Sequence, residues 1–450
     1  MKRRWISGVL TVAMGAALLA GCGEKPAEQT GTGAGAEGGA AVEGTETAST
    51  PAAEGGEVLE FYHGYYHDES EWPAAKVMRD IYDEFVAAHA DGPVTFKPIA
   101  VENRDEIVSV QVAGGNFPDM VDCGTPLPQA AISQGLVYDL KPFIDENNLQ
   151  DAVGINYTQN DVDGHIYTVH DQVESRGIWY NKAVLEKAGV TAEDLTTWEG
   201  FGSAMESVRG LGDGTYGYAA GQGSLFMLNA MLASSEEGKA LLGSELTVDA
   251  IESEAFAEAF KKTAEFDQAN GSDHTTEDVG NLMADFNVSG TAAVLFNGVW
   301  NASGIDAGLA DSIEPAIFPG NVSLATAGAG LSVANGMSEE KTQLALEFVE
   351  YMTSAEVQAK IFTGVQANPC NTTLDLNKLA EESGDPITMK LADACAQVNA
   401  AETVVVNLNS VWGADVGGAI INALMESAVS GTDIDARFEL LKQELTALIG

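Results

Sequence analysis

Positive charge is what this chain has least of: 22 lysines and arginines stand against 67 aspartates and glutamates, a formal net charge of -45. A surface with that balance repels a phosphate backbone, which excludes nucleic acid as a partner and leaves a small ligand open. Cysteine is sparse as well, with four in 450 residues and no C-x-x-C or zinc-type spacing. No G-x-S-x-G elbow, H-E-x-x-H helix or P-loop occurs, so the common hydrolase and nucleotide signatures are missing. A pair of carboxylates brought together in space, as in a glycosidase, stays possible among so many acids.

What is present begins at the N-terminus. Lys2, Arg3 and Arg4 precede an apolar run over residues 5–20, too short and too one-sidedly flanked for a membrane span and suited to a secretory signal. The run ends in Leu19-Ala20-Gly21-Cys22, which resembles a bacterial lipobox and makes residues 1–22 a lipoprotein signal with Cys22 as the acylated residue. Acyl chains there would anchor the protein to a membrane face without spanning it. Residues 23–57 are mostly Gly, Ala, Thr, Glu and Ser without an aromatic, a composition that cannot fold and reads as a disordered tether. Its "GTGAGAEGG" has neither the strand nor the helix that a nucleotide loop needs.

From Val58 onward, strand and helix patterns alternate. "VLEFYHGYY" alternates with period two. "EWPAAKVMRDIYDEFVAAHADG" places Val77, Met78, Ile81, Tyr82, Phe85 and Val86 on one helical face, with Pro73 near its start. "VTFKPIA" and "DMVDCG" supply further strands around the helical "NRDEIVSVQVAGG", so the body is α/β with a largely parallel sheet expected. The length favours two or three domains. Cys123, Cys370 and Cys395 read as three small buried thiols, with a Cys370 to Cys395 disulfide as the alternative. His63 and His67 fall in a loop-like run that argues against a metal face, and "NDVDGH" lacks full calcium-loop spacing and reads as a turn. No metal or cofactor is expected.

Several segments resemble the extracellular solute-binding lipoproteins of ABC importers, in the group related to maltose-binding protein. The resemblance covers most of the chain from Val58 and rests on "GGNFPDMVDCG", "GLVYDLKPFID", "DGHIYTVHDQVESRGIWYNKAVLEKAGV" followed by "TTWEGF", and "GTAAVLFNGVWN". It implies a two-lobed periplasmic-binding-protein fold of type II, with a ligand cleft between lobes joined by hinge crossings. On that pattern residues 58–172 and 329–384 form the N-terminal lobe and residues 173–328 and 385–450 the C-terminal lobe. The crossings would lie near residues 172–175, 326–330 and 385–388.

The resemblance also nominates ligand contacts. Trp300 falls on the family's Gly-x-Trp, where an indole packs on the apolar face of a sugar ring; the other reading is a core residue at a strand end. Glu174 stands six residues before Tyr180, as a cleft carboxylate does in the family, against the alternative of a solvated glutamate. Trp412 precedes a long helix, as another stacking aromatic does, with core packing an equal rival. Asn297 belongs to the same segment as Trp300. Tyr65, Tyr66 and His67 follow the first strand, and Asp122 ends the third, the positions where open α/β sheets bind ligands. Cys123 and the segment "GQGSLFML" depart from the maltose-binding pattern.

Together these imply a monomeric, membrane-anchored extracellular protein that captures a sugar or short oligosaccharide and passes it to an ABC permease without catalysis. A polyamine or other small polar solute in the same fold is the first alternative, and a cleft glycoside hydrolase the second.

Overall fold

The computed structural model describes residues 56–219, 222–271 and 279–449. The expected signal, Cys22 and nearly all of the tether lie outside the described residues, and Glu57 already opens the first strand. Among the described residues no helix is long and apolar enough to cross a membrane.

One sheet is built from β1 (Glu57–His63), β2 (Val94–Ala100), β3 (Met120–Asp122) and β11 (Leu331–Val333), in the order β11-β3-β1-β2. β2 and β3 run parallel to β1, and β11 is antiparallel to β3. The period-two pattern of β1 buries Leu59, Phe61 and His63 on one face. The helix Pro73–Ala88 lays Ala75, Met78, Ile81, Tyr82 and Phe85 on it. Phe61 meets Tyr82 edge-on at 5.2 Å, and Phe348 of the helix Glu339–Thr353 at 4.9 Å. Burying each such side chain contributes roughly 1.5–3 kcal/mol.

A short hairpin, β4 (Asp161–Val162) and β5 (His165–Ile166), turns through Asp163 and Gly164, both at positive φ, so "NDVDGH" is the turn its sequence suggests.

The second sheet holds β6 (Val173–Asn181), β7 (Tyr216–Ala219), β8 (Ala292–Gly298), β9 (Ile313–Ala316), β10 (Val322–Ala327) and β12 (Thr403–Val405). Its order is β12-β10-β6-β8-β7, with β9 also paired to β6. This sheet is not the largely parallel one expected, because β6 is antiparallel to β8, β9 and β10 alike. The chain enters β6 from the other sheet instead of through a helical crossover within its own, so nothing forces a parallel pairing. β10 and β9 share one edge of β6 in succession. Gly177 sits at their junction, where a Cβ would come within 2.5 Å of the Ala316 carbonyl oxygen.

Three segments carry the chain between the sheets. Residues 170–173 lead into β6, and residues 328–330 join β10 to β11. The third passage runs through residues 366–371, not 385–388: Val173 N–H donates to the Asn368 carbonyl at 2.8 Å, and Gln172 bridges Pro369. Asp385 instead caps the helix Pro386–Ala400 by accepting from Ile387 and Thr388 N–H. The helix Leu376–Ser383 packs with it on the cluster that contains Trp179, Leu295 and Leu391. Cys123, Cys370 and Cys395 are buried free thiols, so the alternative disulfide does not form.

Candidate functional site

The parallel strands β1 and β3 end on the same side of the first sheet, and the loops there carry four of the expected contacts. Arg79 fixes the loop after β1 by donating from Nη1 to the carbonyls of Tyr65 at 2.8 Å and His67 at 2.7 Å. Tyr65 is buried, 5.2 Å from the Trp72 ring, and its hydroxyl accepts from Gln172 Nε2 at 3.4 Å. Tyr66 is exposed and stacks on His67 at 4.2 Å, and His67 Nδ1 lies 3.4 Å from Glu71. His63 turns inward, accepting at Nδ1 from Tyr65 N–H. Burial, with the charges of Arg79 and Arg104, lowers its pKa to about 3, so it is neutral.

Arg104 penetrates between the ends of β1 and β3. A Cβ on Gly64 would fall 1.7 Å from its Nη1 and one on Gly124 2.5 Å from its Nη2, so the guanidinium occupies the space that the two glycines leave. Its Nε donates to the Asp122 carbonyl. The Asp122 carboxyl is raised above the usual carboxylate range by burial, against the pull of Arg104 and His170. Asp171, on the first passage, is raised to about 6 by burial, with repulsion from Asp122 adding to it and His170 opposing. Two sparsely solvated carboxyls and His170 thus meet where the chain leaves the first sheet.

Glu174 and Arg176 follow on one face of β6, two residues apart. Arg176 Nη2 donates to Glu174 Oε2 at 2.8 Å and Nη1 to the Glu174 carbonyl at 3.1 Å. Burial pushes the Glu174 carboxyl up, but the charges of Arg176 and His170 and the Arg176 hydrogen bond outweigh it. Its pKa therefore lies below the usual value and it is ionised at neutral pH. The Glu174 side chain is 40% exposed, open enough to accept from a ligand.

Trp300 lies in the turn of 3-10 helix Val299–Gly304 that ends β8, and is half-buried. A Cβ on Gly298 would stand 2.2 to 2.4 Å from its Cζ3, Cη2 and Cε3, so one indole face lies flat on that glycine. The guanidinium carbon of Arg176 is 5.1 Å from the same ring and 4.9 Å from the ring of Phe226. Asn297 is spent on structure: its Oδ1 accepts from Gly298 N–H at 2.8 Å and its Nδ2 donates to Asn301 Oδ1 at 3.2 Å. Asn301 and Asn287 exchange reciprocal amide bonds of 2.9 and 3.0 Å, which fixes the turn that presents Trp300.

Trp412 stands elsewhere. It is 6% exposed inside the large cluster of the second sheet, edge-on to Phe256 at 5.4 Å, and its Nε1 donates to the Ser244 carbonyl at 2.9 Å. The structure places it in the core, with its polar atom satisfied there. A surface depression lined by His89, Pro93, Val94 and Glu347 lies where β2 begins, at the opposite end of the first sheet from these loops.

Sequence reasoning missed Arg176, Phe226, His170 and Asp171. The i, i+2 spacing of Glu174 and Arg176 on a strand was a usable signal for the first; nothing local links Phe226 to either.

No curated protein sequence matches the chain. Residues 80–386 match the family model described as bacterial extracellular solute-binding protein. A Streptococcus pneumoniae solute-binding protein solved with the blood group A-trisaccharide is 44% identical. It superposes with a TM-score of 0.78 over 87% of this chain and 100% of that one. A chitin oligosaccharide binding protein shares the fold at 19% identity and TM-score 0.68, over 87% of this chain and 98% of that one. RafE from Streptococcus pneumoniae does so at 18% identity and TM-score 0.67, over 89% and 100%. With its two sheets, its three connecting passages and this match over most of its length, the chain belongs to the bacterial extracellular solute-binding proteins and has their two-lobed α/β fold.

Proposed function

We propose that this protein captures a sugar or short oligosaccharide between its two lobes and delivers it to the permease of an ABC importer. The observation that carries the reading is Trp300: one indole face lies on Gly298, and the ionised Glu174 is tied to the Arg176 guanidinium beside the same ring. A pyranose presents a C–H face that gains from burial on an aromatic ring and edge hydroxyls that need acceptors. The 44% identical relative, solved with a blood group trisaccharide, supports the same class of ligand. Tyr65, Tyr66, His67 and Asp122 would face the ligand from the first lobe, and Asn297 would act by holding the Trp300 turn. We divide the lobes at the three passages, with residues 58–172 and 329–366 in the first.

Delivery would follow hinge closure, which gives the permease a distinct shape to recognise. Acylation of Cys22 would hold the monomeric protein at the outer face of the cell membrane. The protein would return its ligand unaltered.

The test is a thermal-shift screen of the chain lacking its first 55 residues, against blood group A trisaccharide, raffinose, chitin oligosaccharides, monosaccharides, polyamines and amino acids. A ligand that binds only the native state raises the midpoint. Shifts confined to carbohydrates are expected. A response to polyamines alone would move the principal contacts to Asp122, Asp171 and Glu174, and release of reducing sugar from a bound glycan would make the protein a hydrolase.

A further inference from the structure

We propose that Arg176 is a positioning residue of the sugar site, holding Glu174 as an oriented acceptor and pinning the indole of Trp300 beside it. The inference rests on the reading that ligand lies against Trp300 and Glu174. Arg176 is 8% exposed; its Nη1 and Nη2 are both engaged by Glu174, and its buried Nε has no hydrogen-bond partner among the described residues. Its cross-strand partner on β8 is Gly298, whose missing side chain leaves the space that the indole fills. One cation therefore joins the two proposed contacts and a neighbouring ring: the Glu174 carboxylate at 2.8 Å, the Trp300 ring at 5.1 Å and Phe226 at 4.9 Å.

A planar guanidinium can donate along its edge to a carboxylate while its carbon lies against aromatic rings, and a lysine ammonium cannot do both. Orientation of the acceptor and of the apolar platform is thus set by one side chain. Glu174 is faced by Arg176 from its own strand and by His170 from the passage before it. Adjacent β10 presents Thr326 opposite it, and the helix Gln222–Leu232 contributes Phe226, neither of them charged. Without Arg176 the carboxylate would keep its burial and lose the charge and hydrogen bond that chiefly hold its pKa down. It would then take up a proton at a higher pH than it now does.

Carbon-13 labelling of glutamate carboxyls follows this in the ligand-free protein, with the Glu174 resonance identified as the one lost in Glu174→Gln. Arg176→Met is expected to raise the Glu174 titration midpoint by about one pH unit or more, and Arg176→Lys to leave it near the wild-type position. With blood group A trisaccharide as the calorimetric probe, both variants should bind about tenfold weaker near neutral pH. The Met variant should weaken more steeply than the wild type as pH falls from about 8 to about 5.5, because a protonated Glu174 loses its charge and turns one acceptor oxygen into a donor.

An unmoved Glu174 midpoint in Arg176→Met overturns the proposal, as does full affinity with a flat pH profile. A merely structural arginine would lower stability without moving the carboxyl titration. Should the Met variant fail to fold, Arg176→Gln repeats the titration with an uncharged planar head. Full affinity in Trp300→Ala and Glu174→Gln would sink the sugar reading of the site, and the titration would still decide whether Arg176 controls Glu174.

Discussion

Asn368 donates from Nδ2 to the Ser175 hydroxyl at 2.7 Å, joining the third passage of the chain to the first residues of β6. Both side chains are buried, and the Asn368 carbonyl also accepts from Val173 N–H at 2.8 Å. Two of the three connections between lobes are therefore tied to each other where they enter the second sheet. Asn368→Ala would leave the Ser175 hydroxyl unpaired and is expected to lower stability by about 1–3 kcal/mol in urea unfolding. The double change with Ser175→Ala should cost less than the sum of the two singles, because each removes the same bond. Additive losses would show that the pair is not coupled.

The two tryptophans nominated by sequence should separate cleanly. Trp300→Ala is expected to weaken sugar binding about tenfold or more while moving apo stability by less than about 1 kcal/mol, since the side chain is only half-buried. Trp412→Ala removes a core side chain and a satisfied indole bond, and is expected to cost about 3–5 kcal/mol. Thermal midpoints of the two apo variants, set beside calorimetric affinities, decide both assignments. The reverse pattern would exchange their roles.

Gly298→Ala isolates the platform. The backbone there has φ -75° and ψ 171°, which alanine adopts freely, so the only cost is the new methyl against the indole. The variant should fold with a near-native thermal midpoint and lose sugar affinity as the ring is displaced. Binding at wild-type strength would mean that the ring can lift from the sheet without consequence.

Asp171 gives the protein a pH dependence of definite sign. Its carboxyl is raised to about 6 in the folded chain, by burial first and by Asp122 next, against an ordinary value of about 4 when unfolded. Between those limits the folded state holds the proton that the unfolded chain has released, so this group's contribution to stability falls as pH rises from about 4 to about 6 and is level above. Asp171→Asn should flatten that part of the curve. Urea midpoints measured at intervals across the range test it, and a variant with an undiminished slope would assign the effect elsewhere.

The sequence made the alternation of β1, the apolar stripe of the helix Pro73–Ala88 and the strand ends carrying Tyr65 and Asp122 legible, because each is a periodic local pattern. Trp300 and Glu174 were reachable through their place in family motifs. The third passage was misplaced although Asp385-Pro386 is a helix-start signal, with an Asp cap and proline at the first helical position. The antiparallel β6 was hidden because a strand buried on both faces carries no mark of its direction. Arg176 against Phe226 is a contact between distant elements, which no spacing along the chain can announce.

The three unpaired thiols have a practical consequence. Folding of the body requires no oxidant, and in the native state each sulfur is shut away from reagents. Cys370 stands within the third passage, with its N–H held at 2.8 Å by Gln358, whose amide also donates to the Asp171 carbonyl on the first passage at 2.9 Å. The same sulfur donates to the Ala152 carbonyl at 3.4 Å, so its rate of alkylation would report how often those two segments part from each other and from the first lobe.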